Sequence, residues 1–153
     1  MSKKPPFEML IELAQKEVDE AAASLGSLQR RRDELLGKGN HLDGYRCEYE
    51  SKLAAAVREG MTMLERRNFD AFLGTLGTAI DQQHAQVVSL DTTIEAARQL
   101  WQVKQRKLSS FETLDKRAKQ VEAAKEGRRE QLQSDEFAAR RARERSHERD
   151  LSA

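Results

Sequence analysis

The fold is decided by a stretch near the start of the chain, where residues 7–28 read FEMLIELAQKEVDEAAASLGSL. Its apolar residues recur at alternating steps of four and three, which is the 3.5-residue period of a coiled-coil seam. Continued to residue 56, the spacing meets apolar or aromatic residues everywhere except at Arg32, Gly39 and Arg46. The positions of this first seam are Phe7, Ile11, Ala14, Val18, Ala21, Leu25, Leu28, Arg32, Leu35, Gly39, Leu42, Arg46, Tyr49, Leu53 and Ala56. The pattern predicts one long amphipathic helix.

A second seam with the same period follows an interruption at residues 59–62, which read EGMT. Asn68 is the predicted N-cap of the second helix, because asparagine side chains accept hydrogen bonds from exposed helix-start N–H groups. The positions of this second seam are Phe69, Leu73, Leu76, Ile80, Gln83, Val87, Leu90, Ile94, Ala97, Trp101, Lys104, Leu108, Phe111, Asp115 and Ala118. Beyond them the apolar stripe fades into an arginine-rich end.

Two seams of equal length predict an all-α fold, a long antiparallel two-helix coiled-coil hairpin with an overhanging C-terminal helix. Pairing them end to end sets Ala56 opposite Phe69 in a rod of roughly 75 Å, at ~1.5 Å per residue. The predicted parts of this single coiled-coil domain, 1–153, are helix one at 7–58, the hairpin tip at 59–68, helix two at 69–140 and a charged tail at 141–153. The alternative is a long parallel homodimer, which would set Arg32 against Arg32. The hairpin avoids that like-charge contact and predicts a monomer when the chain is free.

The composition excludes several classes of protein. Of 153 residues, 27 are Lys or Arg and 26 are Asp or Glu, a net charge of +1 that argues against a nucleic-acid binder. No run approaches the ~20 apolar residues of a membrane span, and the first ten residues lack the apolar region of a signal peptide. The single cysteine, Cys47, fits a reducing compartment. We expect a soluble, cytoplasmic, charge-rich helical protein.

Catalytic chemistry is not expected from this pattern. A two-helix rod offers no concave pocket for a small-molecule substrate, and residues 32–39 lack the glycine and hydroxyl positions of a phosphate-binding loop. The residues His41, Cys47, His84 and His147 do not have zinc-site spacing. We therefore predict no catalytic residue, no metal and no cofactor.

The positions beside the seams carry the candidate binding residues. Tyr45, Phe72 and Ala79 flank the seam on one edge near the hairpin tip, next to a seam segment rich in apolar residues. Exposed aromatic clusters mark partner sites, although these rings could instead cover the seam and stiffen the tip. Leu10 and Leu114 repeat the arrangement near the termini. The arginine-rich tail is either a solvated helix face or a surface that docks into an acidic ring.

The chain resembles the flagellar export protein FliJ family over nearly its whole length. Each motif alone is weak evidence, but the order and spacing of the motifs together are specific for the family. The residues that carry the resemblance are Leu10, Leu13-Ala14-Gln15-Lys16-Glu17-Val18-Asp19, Ala21-Ala22, Leu25-Gly26, Leu42, Tyr45, Glu48-Tyr49, Asn68-Phe69, Phe72, Leu76, Ala79-Ile80, Trp101, Lys104, Arg106-Lys107-Leu108, Leu114, Asp135-Glu136-Phe137-Ala138 and Arg140. The chain departs from the family pattern at Gln83, where histidine is common, and at Lys38, where a neutral amide is common.

The resemblance implies a non-enzymatic coiled-coil stalk of the flagellar type III export apparatus. It implies that the terminal end binds the hexameric export ATPase and promotes ring assembly, and that the hairpin end contacts the cytoplasmic domain of the export gate, the FlhA family. It also implies escort of export chaperones, and a place on the cytoplasmic face of the inner membrane at the flagellar base, held there through partners. The implied gate-binding residues are Leu42, Tyr45, Tyr49, Phe72, Leu76, Ala79 and Gln83.

For the ATPase contact, the resemblance points to residues 3–20 and 119–143 rather than to single residues. The candidates within or beside these segments are Leu10, Leu13, Lys16, Glu17, Leu114, Arg140 and Arg141. Alternatives to the flagellar stalk are the equivalent stalk of a virulence type III secretion system, a soluble export chaperone and a coiled-coil tether. The motif at residues 13–19 favours the flagellar stalk.

Overall fold

The computed structural model describes residues 6–152, with side chains from residue 7 onward, and these residues form two α-helices. Helix α1 spans Pro6–Glu59 and helix α2 spans Met63–Leu151. No strand occurs in the described part of the chain. The two helices pack against each other as an all-α helical hairpin, which confirms the predicted fold class.

Contacts between residues divide the chain into two units. We call residues 14–106 the hairpin unit, and residues 6–13 with 107–152 the terminal unit. The predicted bounds of the domain extend over residues 1–5 and 153, which lie outside the described residues. The assignment of a single domain stays a prediction.

Burial in the hairpin unit follows the predicted seams. Every seam position from Ala14 to Ala56 and from Phe69 to Lys104 is buried or half-buried, whereas most positions between them are exposed. The apolar side chains buried in this unit are Ala14, Val18, Ala21, Leu76, Ile80 and Ile94. The core is therefore one row of side chains from each helix, as a 3.5-residue period requires.

The turn between the helices is shorter than predicted. Helix α1 ends at Glu59 because Gly60 adopts a φ of 92°, a conformation in which glycine carries no steric penalty. Thr62 and Glu65 then form a capping box: Thr62 Oγ1 accepts from the Glu65 N–H at 3.2 Å, and Glu65 Oε2 accepts from the Thr62 N–H at 3.2 Å. Asn68 lies inside α2, so the predicted N-cap there and the tip at 59–68 are wrong.

The short turn also changes how the two helices are aligned. Pairing Ala56 with Phe69 would set Tyr49 opposite Leu76. Instead, the Tyr49 ring lies against those of Phe72 and Phe69. The partners of Tyr49 thus come earlier in α2 than predicted, because the turn is centred on Met61 rather than further along the chain.

Loss of the capping hydroxyl should destabilise the hairpin measurably. We expect Thr62→Ala to lower the free energy of unfolding by about 1 kcal/mol, the usual cost of removing an N-cap side chain. Chemical denaturation followed by circular dichroism measures this difference. Thr75→Ala is the matched control, since Thr75 lies within α2 and its hydroxyl donates only to the Ala71 carbonyl of its own helix. Equal effects of the two substitutions would contradict the capping role.

In the terminal unit the helices carry little buried surface. Phe7, Ile11 and Phe111 are half-buried and Leu108 is buried, but every residue from 116 to 138 is exposed. Helix α2 nevertheless continues to Leu151, so most of the predicted charged tail is helical. This exposed stretch is the overhanging C-terminal helix.

Ion pairs within α2 stabilise the exposed stretch. Lys119 Nζ lies 2.9 Å from Asp115 Oδ2, and Arg140 Nη2 lies 4.0 Å from Glu136 Oε2, each at the i,i+4 spacing. The hydrogen bond and the charge of Asp115 raise the pKa of Lys119 above its ordinary value. Exposed pairs at this spacing each add a little to the stability of a helix, so they contribute to the stability of this stretch.

Candidate partner-binding surfaces

Three aromatic residues of the hairpin unit make up what we call the aromatic patch: Tyr49 and Phe72, whose rings are in contact, and Tyr45, which lies one helical turn before Tyr49 in α1. The centroids of the Tyr49 and Phe72 rings are 4.1 Å apart, with 37° between the ring planes. The Lys52 ammonium lies 5.1 Å from the centroid of the Tyr49 ring, within the range of a cation–π interaction. Because Tyr49 is a seam residue, the patch is anchored to the core of the hairpin unit.

The hairpin itself does not bury this patch. Tyr45 is 54% exposed and Phe72 is 39% exposed, although Phe72 packs on Tyr49. Aromatic side chains are the most frequent anchors of protein interfaces, since they bury a large area with little loss of conformational entropy. The geometry therefore leaves two aromatic anchors on the hairpin unit available to a partner.

The other predicted gate-binding residues are buried or half-buried in the helix pair. Leu42 and Ala79 are half-buried, and Leu76 is only 8% exposed. Gln83 is 7% exposed, and its side-chain amide donates a hydrogen bond of 2.6 Å to the Leu35 carbonyl of the other helix. The predicted set thus separates into two exposed aromatics, Tyr45 and Phe72, and residues that are buried or half-buried in the helix pair.

Two charged seam residues, Arg32 and Lys104, form ion pairs with the opposite helix. Arg32 Nε lies 2.5 Å from Asp91 Oδ1, and Lys104 Nζ lies 3.5 Å from Glu17 Oε2. The hydrogen bond and charge of Asp91 raise the pKa of Arg32 above its ordinary value. The seam pattern did not reveal these pairs, because their partners lie outside the seam and depend on the alignment of the helices.

The candidate ATPase-binding residues are distributed over both units. In the terminal unit, Leu10, Leu13 and Leu114 are 40%, 56% and 43% exposed. Arg140 and Arg141 lie in the exposed part of α2, with the Arg141 guanidinium 5.7 Å from the centroid of the Phe137 ring.

Two further candidates belong to the hairpin unit. Lys16 is exposed, whereas Glu17 is half-buried and ion-paired with Lys104. The contact between Glu17 and Lys104 gives Glu17 a role in the helix pair that the sequence did not indicate.

Exposed apolar residues also surround the turn. Val57, Met63 and Leu64 are 51%, 72% and 68% exposed. Met63 and Leu64 were not predicted because residues 59–68 were assigned to the hairpin tip, and Val57 was not predicted because it lies off the first seam. The T-x-x-E pattern at residues 62–65 could have revealed the start of α2 there.

The grooves between the helices are open and mostly lined by charged or polar residues. One of about 560 Å³ is lined by side chains that include Arg30, Arg31 and Lys38. Among residues 6–152, no group of three or more His, Cys, Asp or Glu side chains could hold a metal ion. No helix in that range has the length and hydropathy needed to cross a bilayer.

Known proteins match the sequence of this chain over almost its entire length. A family model described as "Flagellar FliJ protein" matches residues 2–147. A flagellar FliJ protein of Salmonella typhi is 32% identical over 142 residues, which cover 93% of this chain and 97% of the relative. The flagellar FliJ protein of Escherichia coli (strain K12) is 32% identical over 133 residues, which cover 87% of this chain and 90% of the relative. A flagellar FliJ protein of Buchnera aphidicola is 24% identical over 136 residues.

Proposed function

This chain belongs to the flagellar FliJ family, and from that premise we propose that it is a non-enzymatic stalk of the flagellar export apparatus. Membership of this family supports the view that the protein is a component of flagellar export. It also confirms the family resemblance found in the sequence. The stalk has one binding surface in the hairpin unit and one in the terminal unit. Its role is to couple two larger bodies rather than to act on a small molecule.

The surface in the hairpin unit contacts the cytoplasmic domain of the membrane export gate. The observation that carries this proposal is the exposure of Tyr45 and Phe72 beside a seam that is otherwise covered by the helix pair. Leu42, Leu76 and Ala79 are buried or half-buried residues of the same unit and contribute through the helix pair that carries the two rings. Gln83 lies within the helix pair and contributes through the position of the rings rather than through its own surface.

The surface in the terminal unit binds the hexameric export ATPase and promotes ring assembly. Leu10, Leu13 and Leu114 offer exposed apolar contacts there, and Arg140 and Arg141 offer cations on the exposed part of α2. Mixed apolar and cationic surfaces suit a partner that presents an apolar socket with an acidic rim. Lys16, an exposed cation of the hairpin unit, is a separate candidate for an ATPase contact.

Escort of export chaperones is a further part of the proposed role, in which the stalk brings loaded chaperones to the apparatus. Held by these partners, the protein acts at the cytoplasmic face of the inner membrane, at the flagellar base. When free it is a monomer. A chaperone that holds export substrates directly would need a broad exposed apolar groove. In the hairpin unit, however, the two apolar seams pack against each other.

Hydrolysis by the cognate export ATPase tests the proposed contact of the terminal unit. We expect stoichiometric amounts of the full chain to stimulate ATP hydrolysis and to promote ring formation. Leu10→Asp with Leu114→Asp should remove most of the stimulation, because it places two charges in an apolar contact. Val88→Asp is the matched control, since Val88 is 66% exposed in the hairpin unit. An unchanged hydrolysis rate with the wild-type chain would contradict the stalk and favour the chaperone or tether.

A further inference from the structure

One hydrogen bond in the helix pair joins a buried side chain to the backbone of the opposite helix. Among residues 7–152, Gln83 is the one polar side chain that is buried. Its Nε2 donates to the backbone carbonyl oxygen of Leu35 at 2.6 Å. A buried amide is costly unless it has a partner, and here the partner comes from α1. The bond therefore depends on how the two helices are aligned.

Gly39 makes this bond possible. In an α-helix the carbonyl of Leu35 points toward the residue four positions later, so a side chain at Gly39 would cover it. A Cβ placed at Gly39 would lie 2.6 Å from Gln83 Oε1 and 2.7 Å from Nε2. None of the other glycines would bring a Cβ closer than 3.5 Å to a neighbouring atom. The Gln83 amide thus occupies the space that a side chain at Gly39 would need. This explains why the first seam has a glycine at this position.

The apolar seams alone do not choose this alignment. We call one step of three or four residues along a seam a layer. Rows of leucine, alanine and isoleucine give similar contacts when one helix slides along the other by one or two layers, whereas a polar seam residue distinguishes between alignments. A shift of one layer would set Gln83 at the level of Leu35 or Leu42. A shift of one heptad would set it at Arg32 or Arg46. In each case the amide would face a side chain instead of an uncovered carbonyl.

We propose that Gly39 and Gln83 form a register lock, which fixes the alignment of α1 and α2 and so positions the aromatic patch. The contact of Tyr49 with Phe72 occurs about three helical turns from the lock on each helix, and a slip of α2 along α1 would move the two rings apart along the helix axes. The lock itself is a property of the isolated chain. Only the consequence for partner binding rests on the proposed function.

A double-mutant cycle measures the fit between the two residues. We expect Gly39→Ala to lower the melting temperature in the wild-type chain, because the added methyl displaces the amide from its only acceptor. In the Gln83→Ala background the same substitution should raise the melting temperature, because alanine is the better helix former. Gly44→Ala is the matched control: it lies in α1 with open space around it and should raise the melting temperature in both backgrounds. A rise with Gly39→Ala in both backgrounds would overturn the lock.

Distances between spin labels measure the alignment directly. The substitution Cys47→Ser removes the native thiol. Spin labels are then attached at Ser51→Cys in α1 and Ser89→Cys in α2, two exposed sites that lie at different heights along the helix axes. A slip of one layer would change their separation by about 5 Å, at ~1.5 Å per residue. We expect one narrow distance in the wild-type chain and a second population in Gln83→Met, which keeps the side-chain length but removes the donor. An unchanged distribution in Gln83→Met and Gly39→Ala would overturn the lock.

Gate binding separates failure of the lock from failure of the proposed function. If Gln83→Met alters the label distances and also weakens binding of the cytoplasmic gate domain, the lock positions the patch. If the label distances change but Tyr45→Ala with Phe72→Ala leaves gate binding intact, the proposed gate contact is rejected and the register lock is retained. Label distances that do not change reject the lock, whatever the gate binding.

Discussion

Replacing Tyr45 and Phe72 with alanine should abolish binding of the export gate without unfolding the hairpin. Interface anchors of this type cost about 2 kcal/mol each when truncated, and a factor of ten corresponds to about 1.4 kcal/mol. The expected loss of affinity for the cytoplasmic gate domain is therefore on the order of several hundred-fold. Titration calorimetry with the purified domains measures it, and a motility assay gives the cellular consequence.

The fold of the double variant has to be checked in parallel. Tyr45 is 54% exposed, so its loss should have little effect on the fold, whereas loss of the packing of Phe72 on Tyr49 should lower the melting temperature modestly and leave helicity nearly unchanged. The matched control is Val88→Ala with Leu100→Ala, which removes two other exposed apolar side chains of the hairpin unit. The control should bind the gate as the wild type does. A large loss of helicity in Tyr45→Ala with Phe72→Ala would show instead that the two rings are structural.

Truncating a buried seam residue should give the largest loss of stability. Ile80 is 4% exposed in the helix pair, and Ile→Ala substitutions in cores typically cost about 2–5 kcal/mol. The lower half of the range applies if the neighbouring side chains close over the cavity. Denaturant unfolding of Ile80→Ala, followed by circular dichroism, measures the change in the free energy of unfolding.

Val88→Ala is the control for this comparison. Val88 is β-branched like isoleucine and lies in the same helix, but it is 66% exposed outside the seam. Its replacement should change the free energy of unfolding by less than about 0.5 kcal/mol. If the two substitutions had equal effects, the 3.5-residue seams would not form the core.

The seams could be predicted from the sequence because their period is a property of each helix by itself. Positions such as Val18 and Ile94 recur with the spacing that a supercoiled pair requires, whatever the partner helix presents. The same regularity left Tyr45 and Phe72 beside the seam, and the structure exposes both. Burial and exposure thus follow from local spacing.

The alignment of the helices could not be predicted in the same way, because it depends on one choice at the turn. Thr62 and Asn68 are both acceptable N-cap residues, but only Thr62 has a glutamate three residues later, and the reciprocal hydrogen bonds of Thr62 with Glu65 place the start of α2 there. Cross-helix pairs depend on that choice, as the contact of Arg32 with Asp91 shows. A different start of α2 therefore changes which residues face each other along the whole length of the helix pair.

Gln83 shows how a candidate site residue can be misplaced. The family resemblance assigned it to the gate-binding surface, while the period assigned it to the second seam. Its 7% exposure agrees with the period. A seam position occupied by a polar residue, opposite a glycine in the other seam, was the signal for a contact between the helices.

Capture of the export ATPase by the export gate tests most directly whether this protein couples the two. With the cytoplasmic gate domain immobilised, the ATPase should be retained when the full chain is present and lost when it is absent. The chain carrying Tyr45→Ala and Phe72→Ala should still stimulate hydrolysis in solution but should no longer bring the ATPase to the gate. Retention of the ATPase by that variant, or competition between the ATPase and the gate for the chain, would contradict a stalk with two binding surfaces.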